Sequence, residues 1–216
     1  MRKQFDQQLH ELRDEILAMG RTVEEELQLA LKALQNVDVD MAQTVRGIDS
    51  TVNSQRRALE EKCFELIVTQ QPTARDLRAI IAVINMIIDL ERMGDQAKGI
   101  AKLIPHLASH GKWDDMAELQ RMGNLVVMML NQSMLAYAQD NIELARFVVA
   151  QDKEADKLFD NIFTQIMEIM TRTQKQKKVE AAYDILRAAR ELERFGDLAV
   201  NVAERVIYIV TGTVSL

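Results

Sequence analysis

The chain is poor in the residues that punctuate or cross-link a fold. One cysteine, two prolines and eight glycines occur in 216 residues, and aromatics make up 5%. One cysteine builds neither an internal disulfide framework nor a cysteine-based zinc site, and it suits a reducing compartment. Sandwiches and barrels need a turn every ~8–12 residues, which so few Pro and Gly do not supply. No GxGxxG or GxxxxGK[ST] run occurs, so no phosphate cradle of the usual nucleotide type is expected. Positive charge is in deficit: 27 Lys and Arg against 33 Asp and Glu, a net charge of −6, with no long basic run. Nucleic acid is therefore not expected as a partner. Long hydrophobic runs are missing too. The most apolar window, Ile80 to Leu90, is interrupted by Asn85 and bounded by Arg78 and Glu91. A bilayer span needs ~20 residues. Met1 to Asp6 lacks the apolar core of a signal peptide. A soluble, cytoplasmic protein is the expectation.

What is present is helical periodicity. The hydrophobic fraction of 48% is too high for a disordered chain. Phe5, Leu9, Leu12, Ile16, Met19, Val23, Leu27, Ala30 and Leu34 step by three and four, one stripe of a long helix. A second helix is expected from Asp38 to about Gln71, with Val45, Val52, Leu59, Cys63 and Leu66 on its apolar side. Pro72 breaks it. Thr73 is placed to cap a third helix, which Pro105 is expected to end. Pro105 to Lys112 then reads as a linker. Further helices are expected from Trp113 to about Gln139, from Asn141 to about Arg172, and from about Val179 to Val210, stopped by Gly212. The basic stretch from Thr171 to Lys178 reads as a solvated loop.

The plan is written twice. Residues 89–102 read DLERMGDQAKGIAK and residues 191–204 read ELERFGDLAVNVAE; seven of fourteen aligned positions are identical, at an offset of 102. One domain-sized repeat is not a solenoid. It predicts an all-α protein of two tandem, pseudo-symmetric three-helix bundles, residues 1–108 and 112–216.

The third and sixth helices carry an anomaly. At 100° per residue, Leu77, Ile80, Ile84 and Ile87 fall within about 40° of Glu91. Glu91 thus continues an apolar stripe, and Asp95 follows one turn on. Ala182, Leu186 and Ala189 lead in the same way into Glu193, followed by Asp197. Like charges at i and i+4 weaken a helix slightly when exposed and cost far more when buried unpaired. Each pair encloses a mid-helix glycine, Gly94 or Gly196, which leaves room for something to approach. A further i, i+4 pair precedes each one. In the fifth helix it is Asp152 and Asp156; the equivalent positions in the second helix are Asp49 and Asn53. Antiparallel neighbours would bring Asp152 and Asp156 to Glu193 and Asp197, and Asp49 and Asn53 to Glu91 and Asp95. Four convergent oxygen-bearing side chains suit a hard cation. The competing reading is a set of solvated acid pairs, a common pattern in charged helices. Asn53 is neutral, so the first site is expected to bind metal more weakly than the second.

Other residues carry less. Cys63 and the twelve methionines read as packing, and His10, His106 and His110, lying away from the acid pairs, are not expected to ligate. No Ser-His-Asp, Cys-His or zincin pattern appears. The Glu-x-x-His that ferritin-like di-iron enzymes use is also missing. A carboxylate-bundle metalloenzyme is therefore the weaker alternative.

These residues resemble the PhoU family of bacterial phosphate-signalling regulators, over essentially the whole length. The likeness lies in the opening FDxxLxxL with Met19-Gly20, in QQPTARDLR at Gln70 to Arg78, in LERMGD and LERFGD, and in NVAERVIYIVTG at Asn201 to Gly212. The resemblance implies two symmetric three-helix bundles and a non-enzymatic negative regulator of the phosphate starvation response. It implies an adaptor between a phosphate ABC transporter and a sensor histidine kinase, in peripheral contact with that membrane complex. It leaves open a homodimer and a role as accessory to another phosphate transporter. It also implies metal on the E(D)xxxD motifs, multinuclear iron in some members, with zinc or manganese as alternatives. Carried over by position, the ligands would be Glu91, Asp95, Glu193, Asp197, Asp152, Asp156 and Asp49, with Asn53 departing from the acidic pattern. Asp89 and Glu191 sit near the opposite helix face and would be poor ligands.

Overall fold

The computed structural model describes residues 2–110 and 116–213. Six helices occupy them: α1 (Arg2–Asn36), α2 (Val39–Gln70), α3 (Ala74–His110), α4 (Ala117–Gln139), α5 (Ile142–Arg172) and α6 (Gln176–Thr211). Among the described residues there is no strand. The expected stripe is the core of α1: Phe5, Leu12, Ile16, Met19, Val23, Leu27, Ala30 and Leu34 are all buried.

Local chemistry repeats with the letters. Asp38 caps α2 by accepting from the Met41 N–H at 2.9 Å, and Asn141 caps α5 by accepting from the Leu144 N–H at 3.1 Å. The residue before each cap, Val37 or Asp140, has a left-handed backbone that closes the preceding helix. The Asp38 N–H reaches the Ala33 carbonyl and the Asn141 N–H the Ala136 carbonyl, both at 2.9 Å. Thr73 stands just before α3, and its hydroxyl donates to the Asp76 carboxylate at 2.7 Å.

Two boundaries differ from the sequence reading. Pro105 does not end α3, which runs on to His110. Proline costs the helix one hydrogen bond and a clash with the preceding turn. The last turn is held by other means: Leu107 is fully buried, and His106 and His110 contact α6. The expected linker is thus helical up to His110; Lys112 and Trp113 lie outside the described residues. The basic loop is also shorter than expected, because α6 starts at Gln176.

Helices α1, α2 and α3 pack on one another, as do α4, α5 and α6. The two bundles meet through α3 against α6 and α1 against α4. The α3–α6 contact is antiparallel along its length. Arg78 lies by Gly212, Asp89 by Asn201, Gly99 by Glu191 and His106 by Asp184. In the α1–α4 contact, Met134 packs on Gly20 and Leu31 on Gly123. Each of the two contacts pairs equivalent helices of the repeat, so a pseudo-twofold relation runs through the interface. Helices α2 and α5 are left on the flanks.

Candidate metal centres

Each carboxylate cluster sits where a flanking helix meets a central one. In the second bundle α5 carries Asp152 and Asp156, and α6 carries Glu193 and Asp197. The four are within electrostatic reach of one another. Burial, then the neighbouring acids Asp152 and Asp156, pushes the Asp197 carboxyl up from its ordinary value. Burial also raises Glu193, with Asp197 and Asp156 adding and Arg190 opposing. Asp152 is raised by burial and by Asp156. Like charges held together in a partly desolvated site disfavour ionisation. A bound cation would remove that penalty, so the residues fit a hard metal. The Glu193 side chain is 18% exposed, as an acid on an apolar stripe should be, and Arg190 donates to it at 2.8 Å.

The first bundle differs in its cations. Arg56 on α2 lies 2.9 Å from Glu91, and Lys98 donates to Asp49 at 2.8 Å and to Asp95 at 3.5 Å. The Asn53 amide donates to the Asp49 carboxylate at 3.2 Å and to its carbonyl at 3.0 Å. The repeat equivalents of Arg56 and Lys98 in the second bundle are Phe159 and Val200. Two basic groups therefore satisfy the first cluster internally, and a metal there must displace them. The fit is poorer than in the second bundle, and charge balance adds to the effect of Asn53.

Glu26 belongs behind the first cluster and escaped the sequence reading. It projects from α1, is fully buried, and neither carboxylate oxygen has a hydrogen-bond partner. Burial, reinforced by Asp49, pushes its carboxyl up to about 9, against the pull of Lys98. The signal was available. Glu26 lies three residues after Val23 and four before Ala30, on the apolar stripe, but it is disguised within the acidic run Glu24-Glu25-Glu26.

The glycines have a packing explanation. A Cβ at Gly94 would stand 3.0 Å from a Glu26 oxygen, and one at Gly196 would stand 3.4 Å from Val126. Both glycines are buried and face the neighbouring helix, α1 or α4. What approaches them is the protein's own side chains. Asp89 and Glu191 lie elsewhere, on the α3–α6 contact; Asp89 is buried near Arg205 and Arg92, and Glu191 packs on Gly99. Cys63 is buried, and burial lifts its thiol to about 12, so it is a packing residue. His106 and His110 of α3 meet Asp184 of α6, an acid outside the acid pairs.

The paired bundles with acids at matching positions correspond to a known domain that occurs twice. The sequence pattern of the PhoU domain matches residues 16–104 and again residues 119–206. The chain belongs to the PhoU family. A PhoU homolog of Clostridium acetobutylicum, named a phosphate-specific transport system accessory protein, is 36% identical over 98% of this chain and 96% of its own length. The protein of that name from Escherichia coli is 32% identical over 97% of this chain and 86% of its own. The crystal structure of PhoU from Pseudomonas aeruginosa superimposes with a TM-score of 0.92 at 35% identity, covering 97% of this chain and all of that one. That of the phosphate transport system regulatory protein PhoU from Streptococcus pneumoniae gives 0.88 at 31% identity, covering 98% and 99%. The all-α, doubled three-helix architecture read from the sequence is the PhoU fold. Among the described residues, no helix is long and apolar enough to cross a membrane.

Proposed function

We propose that this PhoU-family protein is a non-enzymatic accessory of a phosphate ABC transporter. In this reading it represses the phosphate starvation response by coupling transporter state to a sensor histidine kinase. The observation that carries it is the match of the whole chain to relatives named as phosphate transport accessory and regulatory proteins. The pseudo-symmetric bundles leave α2 and α5 as long helical faces on the flanks, which suits a protein that works by docking. Metal belongs to the same proposal. Asp152, Asp156, Glu193 and Asp197 would hold a hard cation, iron first and zinc or manganese as alternatives, replacing mutual repulsion with shared attraction. Asp49, Glu91, Asp95 and Asn53 would form the weaker centre.

The regulatory reading is tested by deleting the gene and following a phosphate-starvation reporter in phosphate-rich medium. Derepression is expected; an unchanged reporter refutes it. Elemental analysis of the purified protein beside an Asp152→Ala/Glu193→Ala variant tests the metal assignment. The variant should lose metal, and equal content rejects the second-bundle site.

A further inference from the structure

The trio His106, His110 and Asp184 stands apart from both carboxylate clusters. Among the described residues it is the one group of three candidate ligands whose donor atoms all lie within 4.8 Å of one another. The two histidines sit one turn apart on α3, and Glu180 and Asp184 sit one turn apart on α6. Because the helices run antiparallel, the pairs meet. His106 Nδ1 is 2.5 Å from Asp184 Oδ2, the two Nε2 atoms are 3.0 Å apart, and His110 Nδ1 is 3.3 Å from Glu180 Oε2.

The trio's polar atoms are incompletely satisfied. The Asp184 side chain is 1% exposed, yet its Oδ1 accepts no hydrogen bond; the nearest cation, Arg187, is 3.6 Å away. His110 Nδ1 is likewise buried without a hydrogen bond. A buried carboxylate left short of partners is costly. Two imidazoles facing each other through nitrogen supply two lone pairs once neither ring carries an extra proton. His106 is exposed, which gives an ion a way in.

We propose that His106, His110 and Asp184 bind a zinc-class divalent cation, with Glu180 or water completing the shell, and that this ion pins the end of α3 to the start of α6. Two imidazole nitrogens with carboxylate oxygen select zinc, cobalt or nickel over magnesium or calcium, which take all-oxygen shells. The site differs in chemistry from the carboxylate clusters and is separate from them. Asp184 lies nine residues from Glu193, about 14 Å along α6. It also breaks the internal symmetry: the repeat-equivalent positions are Arg78, Ala82, Tyr208 and Gly212, which form no ligand set. One end of the bundle interface thus carries a device that the other lacks. The ion would tie the first bundle to the second.

Zinc binding to three proteins tests this: wild type, His106→Ala/His110→Ala, and Asp152→Asn/Glu193→Gln. The carboxylate variant should keep one tight zinc that the histidine variant lacks. Zinc should also raise the thermal midpoint of the carboxylate variant, and adding His106→Ala/His110→Ala to that variant should abolish this rise. Equal zinc content and affinity in wild type and histidine variant overturns the proposal. Should the double variant lose helicity, ring-nitrogen resonances of wild type decide. Zinc should shift those of His106 and His110 and spare His10; any other pattern also overturns it. The regulatory reading is independent, since the reporter assay can fail with this site intact.

Discussion

Glu26 is a carboxyl group held in an apolar interior next to acids, and its titration has a sign that can be worked out. Its ordinary value is 4.5 and its value in the fold is about 9. Between those limits the folded protein holds a proton that the unfolded chain has released. Stability therefore falls as pH rises through that window, at a slope approaching about 1.4 kcal/mol per pH unit. In metal-free protein, Glu26→Gln should flatten this slope. The variant should gain on wild type by about 1 kcal/mol or more between pH 6 and pH 8. Thermal unfolding across that range checks it, and parallel curves reject it. Cys63 gives a second residue-scale expectation. Its buried thiol, raised to about 12, should resist disulfide reagents at pH 8 until denaturant opens the fold. Rapid labelling of the native protein would contradict that. Cys63 was legible as packing from helical spacing alone. Glu26 was not, because surface and interior acids look alike inside a run of three.

At the scale of the element, the helices were legible and their ends less so. Pro105 is the instructive error. Local propensity says stop, but the residues after it have partners on α6, and tertiary contact outweighs a lost backbone bond. Stopping the helix there also hid the pairing of His106 and His110 on one face. The glycines divide by environment. Gly47 sits inside α2 with nothing within 4 Å of where a methyl group would stand, so Gly47→Ala should stabilise by roughly 0.5–1 kcal/mol through helix propensity. Gly212 closes α6 with φ 73°, so Gly212→Ala should cost about 1 kcal/mol. Urea midpoints of the two variants should move in opposite directions; movement in the same direction would refute the assignment.

For the whole molecule, the buried apolar side chains of both halves form one connected cluster. The α3–α6 contact runs the length of both helices. Two bundles that share a core should unfold together, so metal-free protein should give a single calorimetric transition with matching calorimetric and van't Hoff enthalpies. Two resolved peaks would show that each bundle stands alone. The electrostatics of the halves are unequal despite the repeat. Arg56 and Lys98 neutralise acids in the first bundle, and Phe159 and Val200 take their places in the second. Metal-induced thermal stabilisation should therefore fall much more on Asp152→Asn/Glu193→Gln than on Asp49→Asn/Glu91→Gln; equal losses would show that the basic residues do not matter.

The scarcity of glycine and proline, the period of the apolar residues and the offset of 102 determined a doubled helical bundle, because those signals are local or periodic along the chain. They also singled out the E(D)xxxD acids, since a carboxylate on an apolar stripe is visible in one dimension. Which side chains meet across the bundle interface was decided by tertiary structure alone. Antiparallel packing of α3 on α6 joins residues 78 positions apart, such as His106 and Asp184. Neighbours fixed by helix crossing and register leave no trace in spacing along the sequence. The same holds for the lysine and arginine that fill the first acid cluster and for the glutamate buried behind it.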